Sequence, residues 1–214
     1  MKTLSVACLN AGVIFCLIFK PAGEKQAGET QIFKNVEFSS PAVERDEALI
    51  LLNRVREARG YIEGKNFSTR YCFLIDMGIH CGKKRFFVYD LLTNKVVYSG
   101  LVSHGSGGVD YSLDPKFSNG PGSGCSSLGK YRVGEVYYGQ YGKSYKLYGL
   151  ESSNSNAYRR AVVLHGYNCV PDEEIYPKGI CNTSGCAGVS PNFLKQLSTI
   201  IDESQKPILL WIFL

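Results

Sequence analysis

Residues 85–102 read Arg85-Phe86-Phe87-Val88-Tyr89-Asp90-Leu91-Leu92-Thr93-Asn94-Lys95-Val96-Val97-Tyr98-Ser99-Gly100-Leu101-Val102. Two runs rich in branched and aromatic side chains, Arg85–Leu91 and Lys95–Val102, flank Thr93-Asn94, a pair suited to a hairpin turn. Such side chains pack well on a pleated surface, so the stretch predicts two antiparallel strands. The same composition recurs on both sides. Tyr71–Met77 reads as a strand before the hairpin, and Tyr131–Tyr138 with Ser144–Leu150 as a second hairpin around Gly139, Gly142 and Lys143. Ala161–Leu164 is a short apolar strand ending at His165, and Pro207–Phe213 is the last. The Gly/Ser/Pro-rich stretch from Gly105 to Gly129 is too polar for a core.

Helical spacing appears only at the edges. Ser40-Pro41 suits an N-cap followed by Pro at the first helical position; Ala48, Leu49, Leu52 and Val55 continue the pattern and Gly60 stops it. Ser190-Pro191 opens a second helix that runs to Ile201. There is no βαβ alternation and no internal repeat. The order predicts a mainly β fold, a sandwich or barrel-like sheet with a few peripheral helices.

The chain has 214 residues, 44% of them hydrophobic and 12% aromatic, enough for one domain plus a short extra segment. With 14 Tyr and 11 Phe it is not a disordered chain, and neither a Gly period nor a sustained heptad is present. Its 24 basic and 19 acidic residues give a net charge of only +5. The densest basic runs, Lys83-Lys84-Arg85 and Arg159-Arg160, are short and read as solvated faces, so nucleic acid is not an expected partner.

Met1-Lys2 precedes an uncharged, mostly apolar stretch from Leu4 to Phe19, which Lys20-Pro21 ends. Residues 1–20 therefore read as a secretory signal peptide or a membrane anchor, and the expected location is extracytoplasmic, in the periplasm or cell envelope. Cleavage, lipidation at Cys16 and retention in an inner or outer membrane all stay open. Residues 21–39 suit a linker, 40–66 a helical preface, and 67–214 the main domain.

Eight cysteines agree with export: Cys8, Cys16, Cys72, Cys81, Cys125, Cys169, Cys181 and Cys186. Closeness in sequence makes Cys72–Cys81 and Cys169–Cys181 plausible pairs, though spacing does not fix connectivity. No pair of CxxC motifs is present, so no metal site is expected. Of three histidines, His104 and His165 each end an apolar strand just before Gly, in Leu101-Val102-Ser103-His104-Gly105 and Val162-Val163-Leu164-His165-Gly166. Cys186 follows in Thr183-Ser184-Gly185-Cys186-Ala187-Gly188. A nucleophilic thiol needs a base, which a His on a rigid strand supplies, and backbone N–H groups facing a developing oxyanion. The competing reading pairs Cys186 with Cys181 and leaves His165 as a strand cap.

These blocks resemble the L,D-transpeptidases, the YkuD-like cysteine enzymes that cross-link peptidoglycan, and within them the murein L,D-transpeptidase catalytic domain branch. The resemblance rests on His165, a spacer of residues 166–182, and then Thr183-Ser184-Gly185-Cys186. Phe87-Val88-Tyr89-Asp90-Leu91, Phe117-Ser118-Asn119, Ser126-Ser127-Leu128-Gly129-Lys130-Tyr131 and Leu147-Tyr148-Gly149-Leu150-Glu151 complete it. It departs at Ser184, where the branch has a bulky aromatic, at Ala187, where it has Pro, and at Asn182, where it has Arg. It implies an L,D-transpeptidase-like sheet and a thioester formed on Cys186 from a peptidoglycan stem tetrapeptide, with His165 as base and no cofactor. By the same resemblance Gly185 and Cys186 present oxyanion-binding N–H groups, Thr183 and Ser184 shape the turn, and Gly166, His104 and Ser127 are candidates for the substrate cleft. An L,D-carboxypeptidase and a non-catalytic cell-wall peptide-binding module on the same fold are the alternatives.

Overall fold

Leu209-Leu210-Trp211-Ile212-Phe213 offers no polar face to solvent, and this last strand lies in the middle of a sheet, buried on both sides. The computed structural model describes residues 45–214, which fall in one compact unit, Glu44–Leu214. The expected export segment, the linker and the Ser40-Pro41 cap lie outside the described residues. In chain order the elements are α1 (Glu47–Ile62), β1 (Tyr71–Asp76), β2 (Phe86–Asp90), β3 (Lys95–Gly100), β4 (Gly129–Gly139), β5 (Gly142–Gly149), β6 (Val163–Gly166), β7 (Ala187–Val189), α2 (Pro191–Glu203) and β8 (Leu209–Phe213). The strands form one mixed sheet in the order β3-β2-β1-β8-β4-β5-β6-β7. Both expected hairpins are present, β2–β3 and β4–β5. The parallel pairs are β1–β8 and β6–β7.

Strand alternation divides the core between two faces. Phe73, Ile75, Leu210 and Ile212 meet Phe193, Leu194 and Leu197 of α2. Cys72, Leu74, Leu209, Trp211 and Phe213 meet Val55, Ala58 and Ile62 of α1. Each fully buried Leu, Ile or Phe contributes roughly 1.5–3 kcal/mol, so the two central strands carry much of the stability.

Local detail departs from expectation at Gly60 and at β7. The described part of α1 begins behind Asp46, whose carboxylate accepts the Leu49 N–H at 3.0 Å. Gly60 does not stop it: the helix runs on to Ile62, because burying Ile62 outweighs a glycine cost of about 1 kcal/mol. Strand β7, only three residues long, was not legible. Helix α2 begins as expected, with Ser190 Oγ accepting the Phe193 N–H at 3.1 Å and Pro191 in the first turn. Its Phe193 ring lies on Gly100, where a Cβ would come within 2.3 Å of the ring.

Candidate active site

At one edge of the sheet β6 and β7 run parallel, with Leu164 opposite Ala187, His165 opposite Gly188 and Gly166 opposite Val189. Leu164, Ala187 and Val189 point into the core. Alternation therefore turns His165, and Cys186 just ahead of Ala187, to the opposite face. The intervening loop is closed by the Cys169–Cys181 disulfide and anchored by Val170 and Ile180, which pack with Cys81 and Leu101. Cys181 is thus engaged elsewhere, and Cys186 is a free, half-buried thiol. Cys72 and Cys81, the other candidate pair, are separate buried thiols: Cys72 faces α1 and Cys81 packs under this loop.

His165 is buried, and its Nδ1 lies 2.8 Å from the Gly166 carbonyl. A carbonyl only accepts, so in the neutral ring Nδ1 carries the proton and Nε2 the lone pair. Nε2 is buried without a hydrogen-bond partner among the described residues. Tyr141, on the turn between β4 and β5, stacks on the imidazole at 4.1 Å and 19°, and Tyr167 meets it edge-on at 5.5 Å. Burial lowers the imidazole pKa, partly offset by the Gly166 bond. The Cys186 thiol donates to the Ala161 carbonyl at 3.7 Å. Burial raises its pKa, while the Val163 N–H and the Arg160 charge pull it down. Both shifts favour the neutral forms, a thiol and an imidazole with an open base nitrogen, on one face of the sheet. That arrangement can deprotonate a thiol as it attacks, and needs no standing ion pair.

The turn that presents Cys186 is stitched by one hydroxyl. Thr183 Oγ1 accepts the Gly185 N–H at 3.2 Å and donates to the Cys186 carbonyl at 2.8 Å. The Gly185 N–H, one of the two anticipated oxyanion donors, is therefore already engaged, while Ser184 is exposed at the tip. Gly185 has φ +117°, and a Cβ there would lie 2.5 Å from the Cys125 carbonyl oxygen. The Thr183 N–H donates to the His104 carbonyl, and the Ser106 N–H to the Thr183 carbonyl, both at 2.9 Å.

Two residues first considered for the cleft support it from behind. His104 is fully buried, with Arg85 Nη2 donating to Nδ1 at 2.9 Å and Nε2 donating to the Ser112 carbonyl at 3.1 Å. Burial, with the Arg85 charge second, holds its pKa down at about 4. Ser127 is buried as well; its hydroxyl donates to the Ser118 carbonyl and accepts from Arg160. Both basic runs read as solvated faces send one arginine inward. Arg85 is fully buried on the Val102 and Ile79 carbonyls. Arg160 donates to the Ser118 carbonyl at 2.8 Å, Ser127 Oγ at 2.6 Å and the Cys125 carbonyl at 2.5 Å, which ties the 118–127 loop behind the Cys186 turn. In the loop between β6 and β7, Asp172 accepts from Ser190 and Asn192 at the start of α2, and Glu173 and Glu174 bind Lys84.

Two clefts lie on this part of the sheet. One, of about 420 Å³, is lined by Gln140, Tyr141, Gly166, Tyr167, Asn168 and Cys169 on the His165 side. The other, of about 380 Å³, lies along Ala161, Val162 and Val163 and is bounded by Tyr137, Lys146, Tyr158 and Arg159. Among the described residues no group of acidic, Cys or His side chains is placed to hold a metal ion.

A family model described as the L,D-transpeptidase catalytic domain matches residues 49–211, spanning both the His165 strand and the Cys186 turn. The chain belongs to this family. This L,D-transpeptidase-family chain also resembles several solved structures at low identity. It is similar to the L,D-transpeptidase from Xylanimonas cellulosilytica (13% identity, 68% of this chain and 61% of that one, TM-score 0.39). It is similar too to the helical cell shape determining protein Pgp2 from Campylobacter jejuni (13% identity, 74% and 54%, TM-score 0.38). A third is the Ldtfm–avibactam carbamoyl enzyme (11% identity, 69% and 49%, TM-score 0.43). The chain therefore spans between about half and three fifths of the length of these structures. No curated protein matches the sequence.

Proposed function

We propose that this chain is an exported cysteine L,D-transpeptidase that forms peptidoglycan cross-links through a thioester on stem tetrapeptides. The observation that carries the reading is the unpartnered His165 Nε2 on the sheet face that also bears the free Cys186 thiol. Diagonal neighbours on a sheet face are roughly 7–8 Å apart, so rotation of the thiol from the Ala161 carbonyl toward His165 is the motion the reading requires.

Cys186 Sγ attacks the carbonyl between the L-centre of a diamino acid and D-Ala, and His165 Nε2 takes the thiol proton. Charge on the oxygen is met by the Cys186 N–H. The C–N bond to D-Ala then breaks, with His165 returning its proton to the leaving amine, and a thioester remains. An amine of a second stem peptide attacks the thioester, loses a proton to His165 and forms the amide, and Cys186 leaves as a thiol reprotonated by His165. The Gly166 carbonyl keeps the imidazole in the required tautomer throughout. Export is supported by the apolar run from Leu4 to Phe19 and by the Cys169–Cys181 disulfide.

The test is intact mass of the full chain after incubation with a carbapenem, a β-lactam class that acylates enzymes of this family. The expected adduct maps to Cys186 and disappears in His165→Ala and Cys186→Ser. An adduct on another residue overturns the assignment of the nucleophile. Stem tetrapeptide supplied with and without an acceptor amine then separates cross-linking from hydrolysis. Binding without turnover of either kind establishes the module reading.

A further inference from the structure

The β4–β5 hairpin returns a tyrosine to the base. Gly139 and Gly142 pair across its turn, and Ser144 on β5 is opposite His165 on β6, so Tyr141 reaches back over the imidazole. The two rings stack at 4.1 Å with an interplanar angle of 19°. Tyr167 closes a second side. Its ring meets His165 at 5.5 Å and Tyr141 at 5.6 Å, edge-on to both, and it rests against Gly188, where a Cβ would come within 3.3 Å of it. No carboxylate joins this box. Among the described residues the one hydrogen bond to the imidazole is that between Nδ1 and the Gly166 carbonyl. Burial lowers the imidazole pKa, that bond partly offsets it, and no charged group contributes. The charged side chains on the surrounding elements are engaged elsewhere: Lys143 with Asp202, Lys146 with Glu135, Asp172 with Ser190 and Asn192, and Arg160 with the Ser118 and Cys125 carbonyls. The other titratable groups here are the Tyr141 and Tyr167 hydroxyls and the Cys186 thiol.

We propose that Tyr141 is a positioning residue whose ring face stabilises the imidazolium formed when His165 Nε2 takes the thiol proton. The inference rests on the transpeptidase reading and adds a residue to its proton transfer. A Ser-His-Asp site sets a carboxylate against its histidine, which orients the ring and stabilises its charged form. Here the Gly166 carbonyl fixes the tautomer, but a neutral acceptor gives less to the charge than a carboxylate does. Burial makes the charged form costlier still. The face of an aromatic ring is negative, and a cation within about 6 Å of its centroid is attracted to it. That attraction is felt by the imidazolium far more than by the neutral ring, so it favours the state reached during attack over the resting one. No bond of Tyr141 is made or broken: the proton leaves Sγ, is held on Nε2 and passes to the leaving amine. Tyr141 is 41% exposed on a turn, so little core packing depends on it.

The experiment takes two readouts on the full chain. His165 is titrated through its ring-proton NMR signals, identified among the three histidines by their loss in His165→Gln. The pH profile of carbapenem acylation at Cys186 is followed by intact mass. Tyr141→Leu is expected to lower the His165 pKa by roughly half a unit to one and a half units, and to move the acid limb of the profile down with it. The plateau should fall by about two- to thirtyfold. Tyr141→Phe stays close to the wild type, and phenylalanines with one to three ring fluorines at position 141 lower both quantities stepwise as the ring face loses its negative potential. A His165 pKa unmoved in Tyr141→Leu, or a flat fluorine series, overturns the inference. So does a plateau that falls while the acid limb stays in place, which marks a packing defect. A Tyr141→Phe variant as impaired as Tyr141→Leu overturns it as well, because the hydroxyl and not the ring face would then be acting. Each of these results leaves the transpeptidase reading standing if the wild type is acylated at Cys186. A wild type that is not acylated removes that reading, and the His165 titration still decides the stack.

Discussion

Replacing Gly185 by Ala tests whether the turn ahead of the thiol is held as tightly as its surroundings imply. The glycine sits at φ +117°, where an L side chain is strained by on the order of 1–3 kcal/mol. Its new Cβ would lie 2.5 Å from the Cys125 carbonyl oxygen and 3.0 Å from Arg160 Nη2. The carbonyl is backbone, and Arg160 is fixed by its bonds to Ser118, Ser127 and Cys125, so neither neighbour yields easily. Overpacking of this kind adds typically about 1–3 kcal/mol. The combined loss, about 2–6 kcal/mol, corresponds to a fall in Tm of roughly 4–24 °C for a unit of this size. Displacing the turn moves Sγ relative to His165, and small misplacements at a reacting centre are costly, so carbapenem acylation of Cys186 should slow by at least about tenfold in the protein that remains folded. Thermal unfolding and time-resolved intact mass read the two effects separately. Ser184→Ala, at the exposed tip, is the matched control and should change Tm by less than about 2 °C. A Gly185→Ala protein with the Tm and acylation rate of the wild type would show that the turn is not packed as described.

Alkylation of Cys186 by iodoacetamide should follow a single rise above the ordinary thiol pKa, because burial raises that pKa above 9.0; a plateau between pH 5 and 7 would instead reveal a standing thiolate–imidazolium pair. Arg160→Met should lower Tm by several degrees, since the Ser118 and Cys125 carbonyls lose a charged donor, and should slow acylation by raising the thiol pKa further; Arg160→Lys restores charge but not the fork, so only the second effect should recover. His104 titrates at 6.5 when unfolded and at about 4 when folded, so its contribution is complete above pH 6.5 and is lost as pH falls toward 4, about 3 kcal/mol in all. Denaturant melts between pH 7 and 4.5 should show that loss in the wild type and a shallower slope in His104→Gln.

The sequence made the strands legible wherever a run of β-branched and aromatic residues was long enough to announce itself, as in Phe86–Asp90 and Leu209–Phe213. Ala187–Val189 carried no such signal, because a three-residue strand takes its structure from the partner it pairs with. The same contrast governs the site. His165 and Cys186 stood out by residue type and by the motif around them. Arg160, Arg85 and Tyr141 did not, since a basic doublet or a tyrosine in a hairpin has many ordinary uses and only the fold shows which one applies. Arg159 and Arg160 are adjacent in sequence, yet one lies exposed along the cleft and the other binds buried carbonyls.

That division follows from what each side chain has to do. A nucleophile and its base must be particular residue types, so they leave a readable mark. The groups behind them need only deliver a charge or a donor to a fixed point, and several sequences can do so. Where the family's aromatic, Pro and Arg are replaced here by Ser184, Ala187 and Asn182, the turn is still fixed, but from outside its own sequence. Thr183 bonds both ends of it, Gly185 packs on the Cys125 carbonyl, and Arg160 holds that carbonyl in place. Asn182 Oδ1 accepts the Ser112 N–H at 2.7 Å, which fastens the neighbouring loop over His104. The rigidity that a local motif would provide is therefore distributed over three loops, and a change in any one of them should be felt at the thiol.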